Sequence, residues 1–229
     1  MAGKRLATLM AATPPPLILA SASPARLRVM RGAGLRPEVE VSGVDEADIG
    51  AETTGRTCLR LATAKAEAVA ADRQEGIVIG CDSILDVNGQ RLGKPSSIEE
   101  ARQRWREMAG RSGALLTGHC LIDVGTRIRA ADVAATEVRF GTPTADELES
   151  YLRTDEPLQV AGAFTIDGLA GPFVDGVVGD PHNVLGLSLP LLRRLLADLG
   201  YRITDFWTQP PPATHEGHSG GQAGCRCTL

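Results

Sequence analysis

Asp82 has the least ordinary setting of any charged residue in the chain. It interrupts the apolar run IVIGCDSILDV, residues 77–87. In a strand, alternate residues face one side, so Gly80, Asp82, Ile84 and Asp86 share a face, and Gly80 leaves room beside the carboxylate. An unpaired buried carboxylate is costly, so Asp82 needs a cation, a hydrogen-bond network or water. A metal ion bound to a triphosphate meets that need. The alternative is that Asp82 ends the strand early as a turn cap.

Three further places carry groups suited to an anion. In LASASPAR, residues 19–26, a strand runs into a helix. The unpaired N–H groups and dipole of a helix N-terminus favour phosphate. Ser21 and Ser23 add hydroxyls there. Arg26 falls in the first helical turn, against the dipole, a placement that makes sense if it faces a bound anion. The plainer alternative is a Ser-Pro cap with a solvated arginine. Lys65 lies on one helical stripe with Cys58, Leu61, Ala62 and Val69. It either snorkels out along its stem or points into a cleft that needs positive charge; the spacing supports both equally. Lys94 follows Asp82 on the return of a hairpin and reaches the same cleft as a phosphate ligand. Asp45 and Glu46, in VDEAD (44–48), are either a solvated loop or a second metal-facing pair.

The elements that position these groups alternate between strand and helix. PLILAS (16–21) reads as a buried strand and Ser23-Pro24 opens a helix that stops at glycines. Residues 55–72 form a second helix. The strand 77–87 ends at Asn88-Gly89, the strongest short hairpin signal. Ser97 and Glu100 predict a capping box for the next helix. ALLTGHCLIDV and TRIRAADVAATEVRF read as long strands joined at Gly125. Thr144 and Glu147 predict a second capping box. FTIDG (164–168) and GPFVDGVVG (171–179) read as a short hairpin, and Ser188 with Pro190 opens the last helix, ending at Gly200. This order predicts a three-layer α/β or α+β domain over residues 16–207.

Composition narrows the partners. The 229 residues are 43% hydrophobic with net charge -4, ordinary globular material with no global positive field for nucleic acid. No apolar run approaches a membrane span. Residues 1–15 and 208–229 read as a disordered extension and tail. His215, His218, Cys225 and Cys227 in the tail do not match a zinc spacing. Cys58, Cys81 and Cys120 sit in apolar or helical stretches and form no disulfide framework, which fits a reducing cytoplasm.

Together the motifs resemble a known family. SASPAR, the VDE of 44–46, the Lys of ATAKAEA, GCDS, Lys94-Pro95, DEPLQVAGAFTIDG and GDPHNVLGLSL are similar, in order, to those of the Maf family, the septum-formation-inhibitor-like nucleotide pyrophosphatases. The resemblance implies an elongated, two-lobed, mixed-sheet α/β fold like that of inosine-triphosphate pyrophosphatases, with the active cleft between the lobes, and often a homodimer. It implies hydrolysis of nucleoside triphosphates to monophosphate and pyrophosphate with a divalent cation, Mg2+ or Mn2+, in the service of clearing non-standard nucleotides. Asp82 matches the family's catalytic acid. Ser21, Arg26, Lys65 and Lys94 match its phosphate-facing residues, and Glu46 matches an acidic loop residue that joins Asp82 at the metal. Alternatives of other classes are a nucleotide-binding regulator of septum formation with little turnover, and a metal-dependent phosphatase of small phosphates.

Several positions depart from the family's branches, Cys81 among them. The thymidine/uridine triphosphate branch carries SPRR, ADT and IQG; the branch resembling 7-methyl-GTP hydrolases carries SPWR, SDQ and SEG. This chain has Ala25, Ser83 and Asp167 at three of the differing positions. They are the candidates for base specificity, and base preference stays open. A family histidine is replaced by Gly113, and His119 is not its equivalent.

Overall fold

The computed structural model describes residues 13–45, 53–154 and 156–208. Glu46, the extension through residue 12 and the tail from residue 209, with its histidines and cysteines, lie outside the described residues.

A seven-stranded mixed sheet forms the middle layer. Its strands are β1 (Leu17–Leu19), β2 (Glu38–Val39), β3 (Ile77–Val87), β4 (Gln90–Leu92), β5 (Ser112–Asp123), β6 (Arg129–Phe140) and β7 (Val174–Val178). They lie in the order β2-β1-β3-β5-β6-β7, with β4 also on β3. The central strand β3 has an unusual edge. Antiparallel β5 covers one side of it from Ile77 to Asp86. The other side is shared by parallel β1, at Ile77 to Ile79, and antiparallel β4, at Leu85 to Val87. Between these two contacts, residues 80–84 have no strand partner on that side among the described residues. The sheet is notched there, and Asp82 and Ser83 stand at the notch.

The helices are α1 (Pro24–Gly32), α2 (Thr54–Ala71), α3 (Ile98–Met108), α4 (Ala145–Leu152), α5 (Pro181–Val184) and α6 (Leu189–Asp198). On one side of the notch, α1 and α6 pack Met30, Leu192 and Leu196 onto Leu19, Ile79 and Leu121. On the opposite face, α2 packs Ala62, Ala66 and Val69 onto Ile18, Val78 and Cys120. Beyond the notch a separate core gathers Leu85, Trp105, Phe140, Tyr151 and Phe164 around α3 and α4. These separate cores make the two lobes, as expected.

Local chemistry accounts for most boundaries. Ser23, Thr144 and Ser188 cap their helices through side-chain oxygens, and Thr144 with Glu147 forms the reciprocal box. Asn88 and Gly89 turn the β3–β4 hairpin with positive φ, as a type I′ turn requires. Two expectations fail. Ser97 does cap α3, but the Glu100 carboxylate accepts from Ser96 N–H and Oγ–H instead of Ser97 N–H, so no box closes. FTIDG is not a strand. The Glu156 carboxylate accepts from Thr165 Oγ1 and from the N–H groups of Leu169 and Ala170, which holds 165–170 as an irregular loop. β7 pairs with β6 instead, from Phe140↔Val174 to Glu137↔Val178.

The height of α2 above the sheet is set by glycines. A Cβ on Gly80 would lie 2.1 Å from Ala62 O, and one on Gly118 would lie 2.3 Å from Cys58 O. The helix therefore rests on bare backbone of β3 and β5, which brings Lys65 down onto Asp82.

Candidate active site

The side chains of β3 at the notch serve both faces of the sheet, because successive residues point to opposite sides. Asp82 points toward α2. Its Oδ1 accepts from Lys65 Nζ at 2.6 Å, with only 7% and 8% of the lysine and aspartate side chains exposed. The carboxylate is mid-strand, opposite Gly118, so it is no turn cap, and Lys65 does not snorkel. Each charge supplies the counter-charge that burial demands.

Ser83 points the other way, toward α1. Arg26 donates from Nε to Gly186 O at 2.8 Å, from Nη1 to Ser21 Oγ at 2.9 Å and from Nη2 to Ser83 Oγ at 3.1 Å. Thr117 Oγ1 lies 3.0 Å from Ser83 Oγ. Ser21 Oγ also accepts from Ser23 N–H. The arginine is thus locked at the helix entrance instead of extending into solvent.

A cavity of about 550 Å³ opens between the lobes and is lined by Ser21, Ser23, Arg26, Lys65, Lys94 and Asp167. A smaller recess of about 100 Å³ includes Ser83, and Ala25, Lys94 and Asp167 line both. Lys94 lies 68 positions after Arg26 and Asp167 a further 73 after Lys94, yet one space gathers them. Asp167 is not a bare carboxylate facing a base, as its placement in a strand implied. It sits on the irregular loop and accepts from Arg28 Nη2 at 2.8 Å. Arg28 also lines the cavity. It lies one helical turn beyond Ala25, a spacing visible in sequence, but its partner is 139 residues away. The Gly186 carbonyl that accepts from Arg26 and the Thr117 hydroxyl that meets Ser83 carried no sequence signal either.

Thiol chemistry is excluded beside the carboxylate. Burial, reinforced by Asp82, pushes the Cys58 thiol up to about 12, and burial raises Cys81 to about 11. Both stay protonated and unreactive. At Gly113, a Cβ would lie 2.9 Å from Val87 Cγ2 and 3.0 Å from Leu85 Cδ1, so a histidine there would displace core side chains.

Among the described residues a divalent cation would find few protein ligands. No cluster of three or more His, Cys, Asp or Glu occurs among the described residues. That donor set does not suit an all-protein cage. It does fit a hard cation such as Mg2+, which binds through one or two carboxylates and otherwise keeps water and substrate phosphate.

Fold and cleft define a two-lobed α/β protein with a cationic pocket lined by Lys65, the partner of the buried Asp82. Comparison with known proteins adds the lineage. Residues 16–199 match the family described as Maf-like protein. The chain is 56% identical over 200 residues to a nucleoside triphosphate pyrophosphatase of Streptomyces coelicolor, covering 85% of this chain and 97% of the relative. It is 54% identical over 194 residues to one of Streptomyces avermitilis (84% and 94%), and 52% identical over 208 residues to one of Salinispora tropica (86% and 92%). The chain belongs to the Maf family.

Proposed function

We propose that the chain hydrolyses nucleoside triphosphates to nucleoside monophosphate and pyrophosphate in the interlobe cleft. One observation carries this reading beside the relatives' names. The chain has net charge -4, yet among the described residues the cavity is lined by Arg26, Arg28, Lys65 and Lys94 against Asp167; with Lys65 paired to Asp82 and Arg28 to Asp167, Arg26 and Lys94 remain as the excess positive charge. Such local positive potential attracts a polyanion. The N-terminus of α1, with Ser21, Ser23 and Arg26, cradles one phosphate. Lys94 contacts another from the far lobe, and both cations stabilise charge growing on the pyrophosphate.

Lys65 holds the Asp82 carboxylate in place. Asp82 orients a water molecule and takes its proton as the water oxygen bonds to the α-phosphorus. The bond from that phosphorus to its bridging oxygen then breaks, and pyrophosphate leaves. Mg2+ or Mn2+ belongs to this reading; Asp82 and Glu46 would hold it, and it would neutralise phosphate charge.

The biological role we assign is removal of non-standard nucleotides. For the base we retain Ala25, Ser83 and Asp167 as discriminating positions. The Ala25 methyl cannot hydrogen-bond, and an ionised carboxylate only accepts. Asp167, already engaged by Arg28, disfavours an edge that presents only a carbonyl, as at thymine O4, and favours amino or N–H donors, as on cytosine or guanine. Asp167→Gln combined with Ala25→Arg is expected to shift kcat/KM toward thymidine and uridine triphosphates. A wild type that prefers thymidine triphosphate by a wide margin refutes the base argument alone.

The test of the activity is a panel of ordinary and modified nucleotides with Mg2+ or Mn2+, read by product. Pyrophosphate supports the proposal. Orthophosphate alone points to a phosphatase, and tight binding without product points to a nucleotide-binding regulator.

A further inference from the structure

Two of the three acceptors that fix Arg26 lead back to one buried side chain. His119 on β5 has no exposed surface. Its Nε2 accepts from Ser188 N–H at 2.9 Å, so Nε2 carries no proton. The other ring nitrogen, Nδ1, lies 3.0 Å from Thr117 O and is the protonated one of a neutral imidazole.

Each of these bonds steadies one support of the arginine. Ser188 caps α6 through Oγ and stands two residues from Gly186, whose carbonyl accepts from Arg26 Nε. Gly186 has φ +93°, and a Cβ there would lie 3.2 Å from Arg26 Nε and 3.6 Å from Ser83 Oγ. That turn is therefore pressed against the guanidinium. Thr117, the second partner of His119, carries the hydroxyl that meets Ser83 Oγ, and Ser83 accepts from Arg26 Nη2. The 186–188 turn and the Ser83–Thr117 pair are chain segments far apart in sequence, tied to the same point of β5. Burial also lowers the imidazole to about 4, which keeps Nε2 an acceptor at neutral pH.

We propose that His119 is a positioning residue that fixes the Arg26 guanidinium at the mouth of α1 by anchoring the 186–188 turn and Thr117. Its functional consequence rests on the reading of Arg26 as a phosphate ligand; its structural core does not.

The experiment compares His119→Leu, which removes both bonds, with His119→Gln, which can keep an acceptor for Ser188 N–H. In protein labelled with 15N-arginine, the Arg26 Nε–H signal of the wild type is expected to be distinct and slow to exchange with water. In folded His119→Leu it should move to the bulk arginine position, and His119→Gln should recover much of it. In the nucleotide assay, kcat/KM should fall about 10-fold in His119→Leu, mostly through KM, the scale of a misplaced binding group. A folded His119→Leu with a wild-type Arg26 signal overturns the proposal. A moved signal with no turnover in any variant, wild type included, leaves the anchoring standing and defeats the assigned activity instead. Should His119→Leu not fold, the 15N spectrum of the wild-type histidines decides. A protonated Nδ1 with bare Nε2 supports the anchoring, and the opposite tautomer overturns it.

Discussion

Among the described residues, two ion pairs of nearly equal length and opposite setting reach the cleft through Lys65 and Arg28. On its floor, Lys65 and Asp82 meet at 2.6 Å with 7% and 8% of their side chains exposed. At its rim, Arg28 and Asp167 meet at 2.8 Å with 62% and 35% exposed. Distance alone would rank them together. Burial separates them, because water screens the rim pair far more than the floor pair. Removing one partner of a buried pair strands a charge and costs about 3–5 kcal/mol. An exposed pair contributes about 1 kcal/mol or less. The floor pair is therefore a fixed part of the site. The rim pair, which joins α1 of one lobe to the 165–170 loop of the other, is a weak closure that opens at little cost.

The comparison is broken most directly at Asp82. Asp82→Asn is expected to lower turnover about 10²-fold or more, the scale of a positioned acid–base group. It should also destabilise the fold by about 3 kcal/mol, because the buried Lys65 loses the carboxylate that meets it at 2.6 Å. Pyrophosphate release and urea unfolding measure the two effects. Near-normal activity would remove Asp82 from the chemistry. A sharper version is Lys65→Met with Asp82→Leu, an apolar replacement of the whole pair. It should regain most of the lost stability and none of the activity. If the double variant is as unstable as the single one, the stranded-charge explanation fails.

A buried group without an ion pair tests the same rule at smaller scale. Burial depresses His119 from 6.5 to about 4, opposing the backbone bond to Thr117, with Arg26 lowering it and the carboxylates of Asp180 and Asp132 raising it. The folded pKa lies below the unfolded one, so the unfolded chain binds the proton first. This contribution to stability is complete above pH 6.5 and is lost as pH falls through about 4, amounting to about 3 kcal/mol. Chemical unfolding between those pH values should show wild-type stability falling more steeply than that of His119→Gln. Parallel slopes would mean that His119 titrates normally.

The smallest effect belongs to the rim. Arg28→Ala should cost about 1 kcal/mol or less, and 1 M salt should erase the difference from wild type. The coupling of Arg28 and Asp167 in a double-mutant cycle should be equally small. A coupling of several kcal/mol would show that the rim pair is as fixed as the floor pair.

The residues of the site were more legible in sequence than their partnerships. A carboxylate inside IVIGCDSILDV, a lysine on an apolar helical stripe and an arginine in the first turn of a helix each violate a local expectation, and such violations mark positions where function overrides propensity. Helix caps were legible for the same local reason: Ser23, Thr144 and Ser188 need only the next three or four residues to act. The 164–168 segment failed because Glu156 accepts from the Thr165 hydroxyl within it and from the N–H groups of Leu169 and Ala170 just beyond it, and a β-like composition says nothing about a competing acceptor.

By itself, then, the sequence determined the alternating elements, the family motifs and the identity of the polar groups in the cleft. Those follow from periodicity, capping and residue chemistry, all of which act over a few residues. Only the tertiary structure decided that Lys65 is the counter-charge of Asp82, that Arg28 occupies Asp167, and that Gly186, Ser83 and Ser21 hold Arg26. Two dispositions set these pairings: the notch where β1 ends and β4 begins on one edge of β3, and the descent of α2 onto Gly80 and Gly118. Both depend on how distant segments share space, and electrostatic partners are chosen by that proximity.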